Sequence, residues 1–349
     1  MRWTFAEMSL CPPIGRKCWA ARPCQQGDDD WALALVPIRP GCRLPDKVAH
    51  DASKGDGMRI GFIGLGDQGG PMARMIKAGG FDLSIWARRE EVRDEYARAG
   101  ATIADTPAGL AARSDMLCLC VTGDDDVRDL LVEQGALAAM GRRSIVAIHS
   151  TIRPSTCIAL QKYAAERNVI LLDLPVSGSG HAALAKTLLV MCGGDNRAIA
   201  RIVPVLECYA GTILRMGGAG AAMSAKLINN LMAVVNIGQA YQALLLGRAA
   251  GIDPAALRQA VLAGTGRTFA MDLIQRLQVP DRAAHVLGIL RKDVALALEA
   301  LPRPQVNCWV PLAHAGLEAL EVLVTGGEML LPSNKEGMLH GEFVVYGNA

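Results

Sequence analysis

The sequence predicts an α/β fold: a doubly wound, mostly parallel sheet followed by an all-α C-terminal domain. Three observations predict it. Short apolar runs alternate with helical patterns between Met58 and Met216, as βαβ units require. The first of these runs ends in a glycine turn that opens a helix. Beyond Gly220 the chain turns Ala- and Leu-rich, with long helical stretches and no alternation of the strand kind.

Taken in order, residues 58–63 read as a buried parallel strand. They feed Gly64-Leu65-Gly66-Asp67-Gln68-Gly69, after which residues 71–78 read as a helix closed by Gly79 and Gly80. Strand, glycine turn and helix in this order form a dinucleotide-binding turn. Gly64 permits the tight turn, Gly66 lets the backbone approach a pyrophosphate, and Gly69 lets the helix pack close to the strand. The helix N-terminus offers unpaired N–H groups and a positive dipole end to the phosphates. The competing account is a turn that needs its glycines for packing alone. The next strand, 81–86, favours the cofactor reading. Its end should reach the adenosine ribose, where an NAD site often carries a carboxylate. Here Ala87 is followed by Arg88 and Arg89, two guanidiniums suited to a 2′-phosphate. NADP(H) is therefore expected in preference to NAD(H). A solvated basic turn, neutralised by Glu90 and Glu91, is the alternative.

Further strands are expected at 116–121, 144–148, 169–173, 188–192 and 212–216. Ligands of such sheets bind beyond the carboxyl ends of the strands, which places the loops carrying Ser150 and Ser177 at the cofactor crevice. The longest helix is expected over 224–250. Lys226 and Asn230 lie four apart on it and so share a face; a lysine snorkelling to the surface is the other reading. By itself, Lys292-Asp293 is an ordinary helical charge pair. His149 and His181 flank the serine loops and read as packing or surface residues, with substrate contact as the alternative.

Composition narrows the class. A net charge of +2 gives no support to nucleic-acid binding. No run reaches the roughly 18 apolar residues of a membrane span; the nearest, 227–246, is interrupted by Asn229, Asn230, Asn236, Gln239 and Gln242. Hydrophobic content of 51% against 20% charge points to large internal or subunit interfaces, so a homodimer or homotetramer is expected. The ten cysteines form no CxxC pair and no Cys/His zinc spacing. No metal site is expected, Cys118 and Cys120 read as buried thiols, and a reducing cytoplasm is the default. Residues 1–57 differ from the rest, holding three of the five Trp and six of the seventeen Pro without sustained periodicity. They are expected to be a disordered leader or a misassigned start, with a regulatory or targeting arm as the alternative. The folded chain is then read as a dinucleotide-binding domain at 58–219 and a helical substrate and dimerisation domain at 220–345.

Together these pieces resemble the β-hydroxyacid dehydrogenase family, which includes 3-hydroxyisobutyrate dehydrogenase and tartronate semialdehyde reductase. The resemblance is carried by Gly61-Phe-Ile-Gly-Leu-Gly66 with Pro71-Met-Ala73, His149-Ser-Thr-Ile152, Asp173-Leu-Pro-Val-Ser-Gly178, and Lys226-Leu-Ile-Asn-Asn230. The Lys292-Asp293 segment fits a fifth motif. The resemblance implies a Rossmann domain joined to a helical domain by the helix of Lys226, with Lys226 as catalytic acid/base and Asn230 one turn on positioning substrate or lysine. It implies a small carboxylate substrate held by Ser150, Ser177 and the backbone at Gly178, with Asn229 beside them. It further implies Lys292 closing over the nicotinamide side, and Val121, Thr122 and Thr151 among the cofactor-binding residues. The implied reaction is hydride exchange between a nicotinamide cofactor and a small 3-hydroxy acid or its semialdehyde. An imine reductase on the same fold and a non-catalytic cofactor-binding paralogue are the alternatives; Lys226 argues against the first. The chain departs from the family at Gln68, Ile148, Ser179, Lys186, Ala222 and throughout 328–349. Ser179 and Lys186 alter the loop on the substrate side.

Overall fold

The computed structural model describes residues 57–326 and 330–331; the readings of the leader and of the far C-terminal tail lie outside the described residues. The sheet half of the chain runs β1 (Arg59–Ile63), α1 (Gly69–Ala78), β2 (Asp82–Trp86), α2 (Glu90–Arg98), β3 (Thr102–Ile103), α3 (Pro107–Ala112) and β4 (Met116–Leu119). It continues with α4 (Asp124–Arg128), a π-helical turn at Asp129–Glu133, α5 (Ala136–Ala139), β5 (Ile145–Ile148), α6 (Pro154–Ala165) and β6 (Ile170–Asp173). It closes with β7 (Val176–Ser177), α7 (Gly180–Leu184), β8 (Leu188–Gly193), α8 (Asn196–Leu206) and β9 (Ala210–Gly217).

The strands form one sheet in the order β3-β2-β1-β4-β5-β6-β8-β7, with β9 paired to β8. β1 through β6 are mutually parallel; Ile60 of β1 stands opposite Leu83 of β2 and Met116 of β4. β6 and β7 each meet β8 antiparallel, while β8 and β9 are parallel. The seven expected strands are present. The sequence reading did not include β3 and β7, each only two residues long, too short for a period to register. It also began α1 two residues late.

Alternation along the strands builds a core on each face. Ile60 and Phe62 of β1, with Met116 and Cys118 of β4, pack with Met72 and Ile76 of α1 on one side. Ile63, Leu117, Leu119, Val146 and Ile148 pack with Leu110 and Leu130 on the other. A parallel sheet buried on both faces needs apolar side chains at every position, which is why these strands read as continuous apolar runs.

The helical half comprises α9 (Ala221–Ala249), α10 (Pro254–Ala263), α11 (Phe269–Leu277), α12 (Pro280–Ala300) and α13 (Val310–Val324), the last preceded by a 3-10 turn at Asn307–Trp309. Asp253 and Thr268 cap α10 and α11, accepting from the backbone N–H of Ala256 and Met271, as N-cap residues do. Leu231, Val234, Tyr241 and Leu244 of α9 meet Ile274, Leu290, Val294 and Leu320 in a separate core. Met223, in the first turn of α9, packs instead into the sheet's second core, so α9 belongs to both halves. The described residues fall within a single compact unit.

Candidate active site

The strand order turns back between β1 and β4, and the crevice beyond their carboxyl ends is where such sheets bind ligands. The Gly64 turn leaves β1 there and Cys120 leaves β4, with Cys120 N–H donating to the Ile63 carbonyl at 2.9 Å. Gly64 has φ +93°, and a Cβ on it would overlap the Cys120 carbonyl; only glycine fits. A Cβ on Gly69 would overlap the Gly64 carbonyl and crowd Phe62, the close helix–strand packing expected there. A Cβ on Gly66, by contrast, would meet nothing within 4 Å, so that face of the turn is open. α1 begins without a side-chain cap, leaving first-turn N–H groups available to an anion. These features fit a dinucleotide diphosphate.

A cavity of about 340 Å³ adjoins the turn, lined by Leu65, Gly66, Arg88, Arg89 and Val121 among others. It lies at the end of β2, where the adenosine was expected. Arg88 is exposed and pairs with Asp126 at 3.4 Å. Val121 N–H donates to Ser150 Oγ at 2.8 Å, and Thr122 lines a second cavity of about 360 Å³ with Asp124, Arg153, Lys292 and Glu299. Ser150 is buried, so its hydroxyl supports the turn after β4 rather than standing free among the substrate-side groups.

The other groups expected on the substrate side do come together. Lys226 and Asn230 are buried on α9 although both are polar. Asn230 Nδ2 donates to Asp293 Oδ2 at 2.6 Å, and Asn229 Nδ2 reaches Asn230 Oδ1 at 3.0 Å and Ser177 Oγ at 3.5 Å. Lys292 Nζ donates to the Thr151 carbonyl at 2.8 Å and lies 2.9 Å from Asp293 Oδ1. That second contact is an ion pair without hydrogen-bond geometry, so Oδ1 has no hydrogen-bond donor of its own. Burial pushes the Lys226 ammonium down to about 8; the Asp293 carboxylate opposes that shift and the neighbouring Lys292 adds to it. Gly178, at φ +128°, has no room for a Cβ beside Leu188 and Ala182, which fixes the loop after Ser177.

The sequence reading assigned no role to Asp293 or Asp173. Asp293 is 1% exposed, and a carboxylate buried that deeply in a helix is a signal only the fold reveals. Asp173 ends β6 and accepts the backbone N–H groups of Gly220, Ala222 and Met223 at 2.9–3.1 Å, capping the helix that carries Lys226. His149 is a packing residue. Its Nδ1 lies 2.8 Å from the Leu174 carbonyl and its Nε2 3.4 Å from Tyr209 Oη, and burial pushes its pKa down to about 4. His181 is exposed on α7. Among the described residues, no three His, Cys, Asp or Glu side chains are placed to hold a metal, and no helix is long and apolar enough to cross a membrane.

A Rossmann crevice with a diphosphate turn, set against a buried Lys–Asn–Asp cluster, defines a nicotinamide-dinucleotide oxidoreductase. The NAD binding domain of 6-phosphogluconate dehydrogenase matches residues 59–218, and the NAD-binding region of NADP-dependent 3-hydroxyisobutyrate dehydrogenase matches 218–329. L-threonate dehydrogenase of Cupriavidus necator is 33% identical over 280 residues, covering 77% of this chain and 91% of its own. The Mycobacterium tuberculosis 3-hydroxyisobutyrate dehydrogenase solved with L-serine superposes with a TM-score of 0.64 at 25% identity, covering 77% of this chain and 93% of that one. Psf3, solved with NADP+ and 2-OPP, gives 0.65 at 28% identity, covering 78% and 96%. The chain belongs to the β-hydroxyacid dehydrogenase family.

Proposed function

We propose that the protein interconverts a small 3-hydroxy acid and its semialdehyde, with Lys226 as general acid/base. The observation that carries this reading is the placement of Lys226: a buried amine whose pKa is brought down to about 8, beside a hydrogen-bonded chain from Asp293 through Asn230 and Asn229 to Ser177. A group that titrates near the working pH can move a proton both ways. When bound, the nicotinamide supplies or accepts the hydride. In oxidation the neutral Lys226 amine takes the hydroxyl proton. In reduction its ammonium returns that proton and stabilises the negative charge growing on oxygen. Ser177 Oγ and the backbone at Gly178 orient the substrate carboxylate, and Asn230, anchored by Asp293, fixes the hydroxyl against the lysine. Lys292 and the Thr151 backbone border the nicotinamide side, while Val121 lines the first cavity and Thr122 the second.

NADP(H) is the favoured cofactor. Arg88 and Arg89 line the adenosine cavity, and none of its lining residues is acidic. The Arg88–Asp126 pair is exposed, and such pairs contribute under about 1 kcal/mol, so a 2′-phosphate can displace Asp126. The NADP+ complex of Psf3 supports the same choice. Relatives named for L-threonate and solved with L-serine point to a small hydroxylated carboxylate.

The test follows absorbance of NADPH and NADH, separately, with succinic, tartronic and methylmalonic semialdehydes, and the reverse reaction with the matching hydroxy acids. Oxidation of NADPH by one aldehyde, lost in Lys226→Ala, is the expected result. Tight NADPH binding without turnover on a broad panel would instead favour a non-catalytic cofactor-binding role.

A further inference from the structure

Three side chains of α12 reach the sheet half of the molecule, and they stand seven residues apart. His285 Nε2 lies 3.9 Å from Asp67 Oδ2 in the glycine turn. Lys292 Nζ donates to the Thr151 carbonyl at 2.8 Å. Glu299 accepts Arg153 Nε and Nη2 at 3.1 and 2.9 Å. Seven residues are close to two helical turns, so the three share a face and follow one another at intervals of roughly 10 Å. That face runs along the cofactor crevice, from the diphosphate turn to the loop after β5. Lys292, in the middle, is assigned above to the nicotinamide side. One interval toward the N-terminus of α12 ends at the turn that receives the diphosphate.

Asp67 is the misfit there. A carboxylate in the middle of a phosphate-binding turn repels the anion that the turn's N–H groups attract. The side chain is 88% exposed and the space beside Gly66 is open, so the carboxylate stands at the side of the turn that a diphosphate would approach. A donor from the opposite side of the crevice, His285, lies near it. At 3.9 Å its Nε2 is too far from Asp67 to form a hydrogen bond, and its side chain is 57% exposed on the crevice side of α12. It is near the turn without being committed to it.

We propose that His285 is a cofactor-binding residue whose Nε2–H donates to a diphosphate oxygen of the bound dinucleotide, held in place by α12 from across the crevice. This rests on the cofactor reading given under Proposed function. It is tested by dissociation constants of NADPH and NADH, measured by fluorescence on the full chain. His285→Ala should weaken both cofactors about fivefold to tenfold and by the same factor, as expected when one hydrogen bond to a charged group is lost in a partly solvated site. His285→Gln, which keeps a donor, should recover part of the loss. Asp67→Asn removes the opposing charge and should bind as tightly as wild type or more tightly. Unchanged affinity in a folded His285→Ala overturns the proposal. Equal weakening by His285→Ala and Asp67→Asn also overturns it, because the two residues then act only as a clasp between the halves. A wild-type chain that binds neither cofactor overturns the functional reading itself, a different and separately visible result.

Discussion

Lys226 is held between two opposed influences, and its neighbour Asp293 decides how far each goes. Burial lowers the amine's pKa to about 8 and Asp293 resists. With Lys226 as the proposed acid/base, oxidation uses the neutral amine and its rate should climb as pH rises through about 8, whereas reduction, which uses the ammonium, should decline over the same range. Asp293→Asn removes the carboxylate that raises the pKa, so the rising limb of the oxidation profile should move to lower pH; a limb that stays in place would show that Asp293 does not act on Lys226. Lys226→Ala should lower turnover by about 10²–10⁴ with cofactor affinity retained, and wild-type turnover in the folded variant would exclude its role. His149 makes a second residue-scale prediction. Its folded pKa of about 4 lies below the ordinary 6.5, so the unfolded chain binds the extra proton between those values. The His149 contribution to stability should therefore be fully present above about pH 6.5 and be lost as pH falls toward 4, amounting to up to about 3 kcal/mol. Thermal melts across that range check it, and His149→Gln should flatten the slope.

At the scale of elements, the helix that delivers Lys226 is anchored by a strand. Asp173 accepts three backbone N–H groups at the start of α9, satisfying donors that a helix N-terminus leaves open and meeting the positive dipole end. It also wedges against Gly193, where a Cβ would strike its carboxylate. Asp173→Ala strands three buried donors and should cost about 2–5 kcal/mol, read as a lower midpoint in urea. Because the cap sets the first turn of α9, turnover should decline with stability even in the fraction that remains folded. A variant as stable as wild type would show that α9 is held by packing alone. The existence of α9 is legible in its apolar run, and so is the Lys226–Asn230 face. The cap is not, because its two parts are 47 residues apart and meet only once β6 has joined the sheet.

At the scale of the whole molecule, α12 connects the two halves through Lys292 and Glu299, and α9 leaves an outer face uncovered. Ile228, Met232 and Leu246 are exposed along that face at 53%, 48% and 72%, and their spacing places them on one stripe of the helix. Apolar stripes of this kind mark contact surfaces, so the homodimer or homotetramer expected from the sequence should form through α9. Light scattering at micromolar concentration should report twice or four times the mass of one chain, and Leu246→Glu should lower it. A clean monomer in the unmodified protein would remove this assignment.

The sequence by itself determined the fold class, the seven longer strands, the diphosphate turn and the lysine helix. Each is written in neighbouring residues, as period, glycine spacing or apolar run, and local chemistry is enough to read it. The tertiary structure decided what those parts do to one another. It buried Ser150 against the turn after β4 and turned an ordinary Lys292-Asp293 pair into the charged wall of the Lys226 site. It also made His149 a core residue and brought His285 to the edge of the glycine turn. These outcomes depend on burial and on contacts between residues distant in the chain. Desolvation and Coulomb forces act through space, so no local pattern records them.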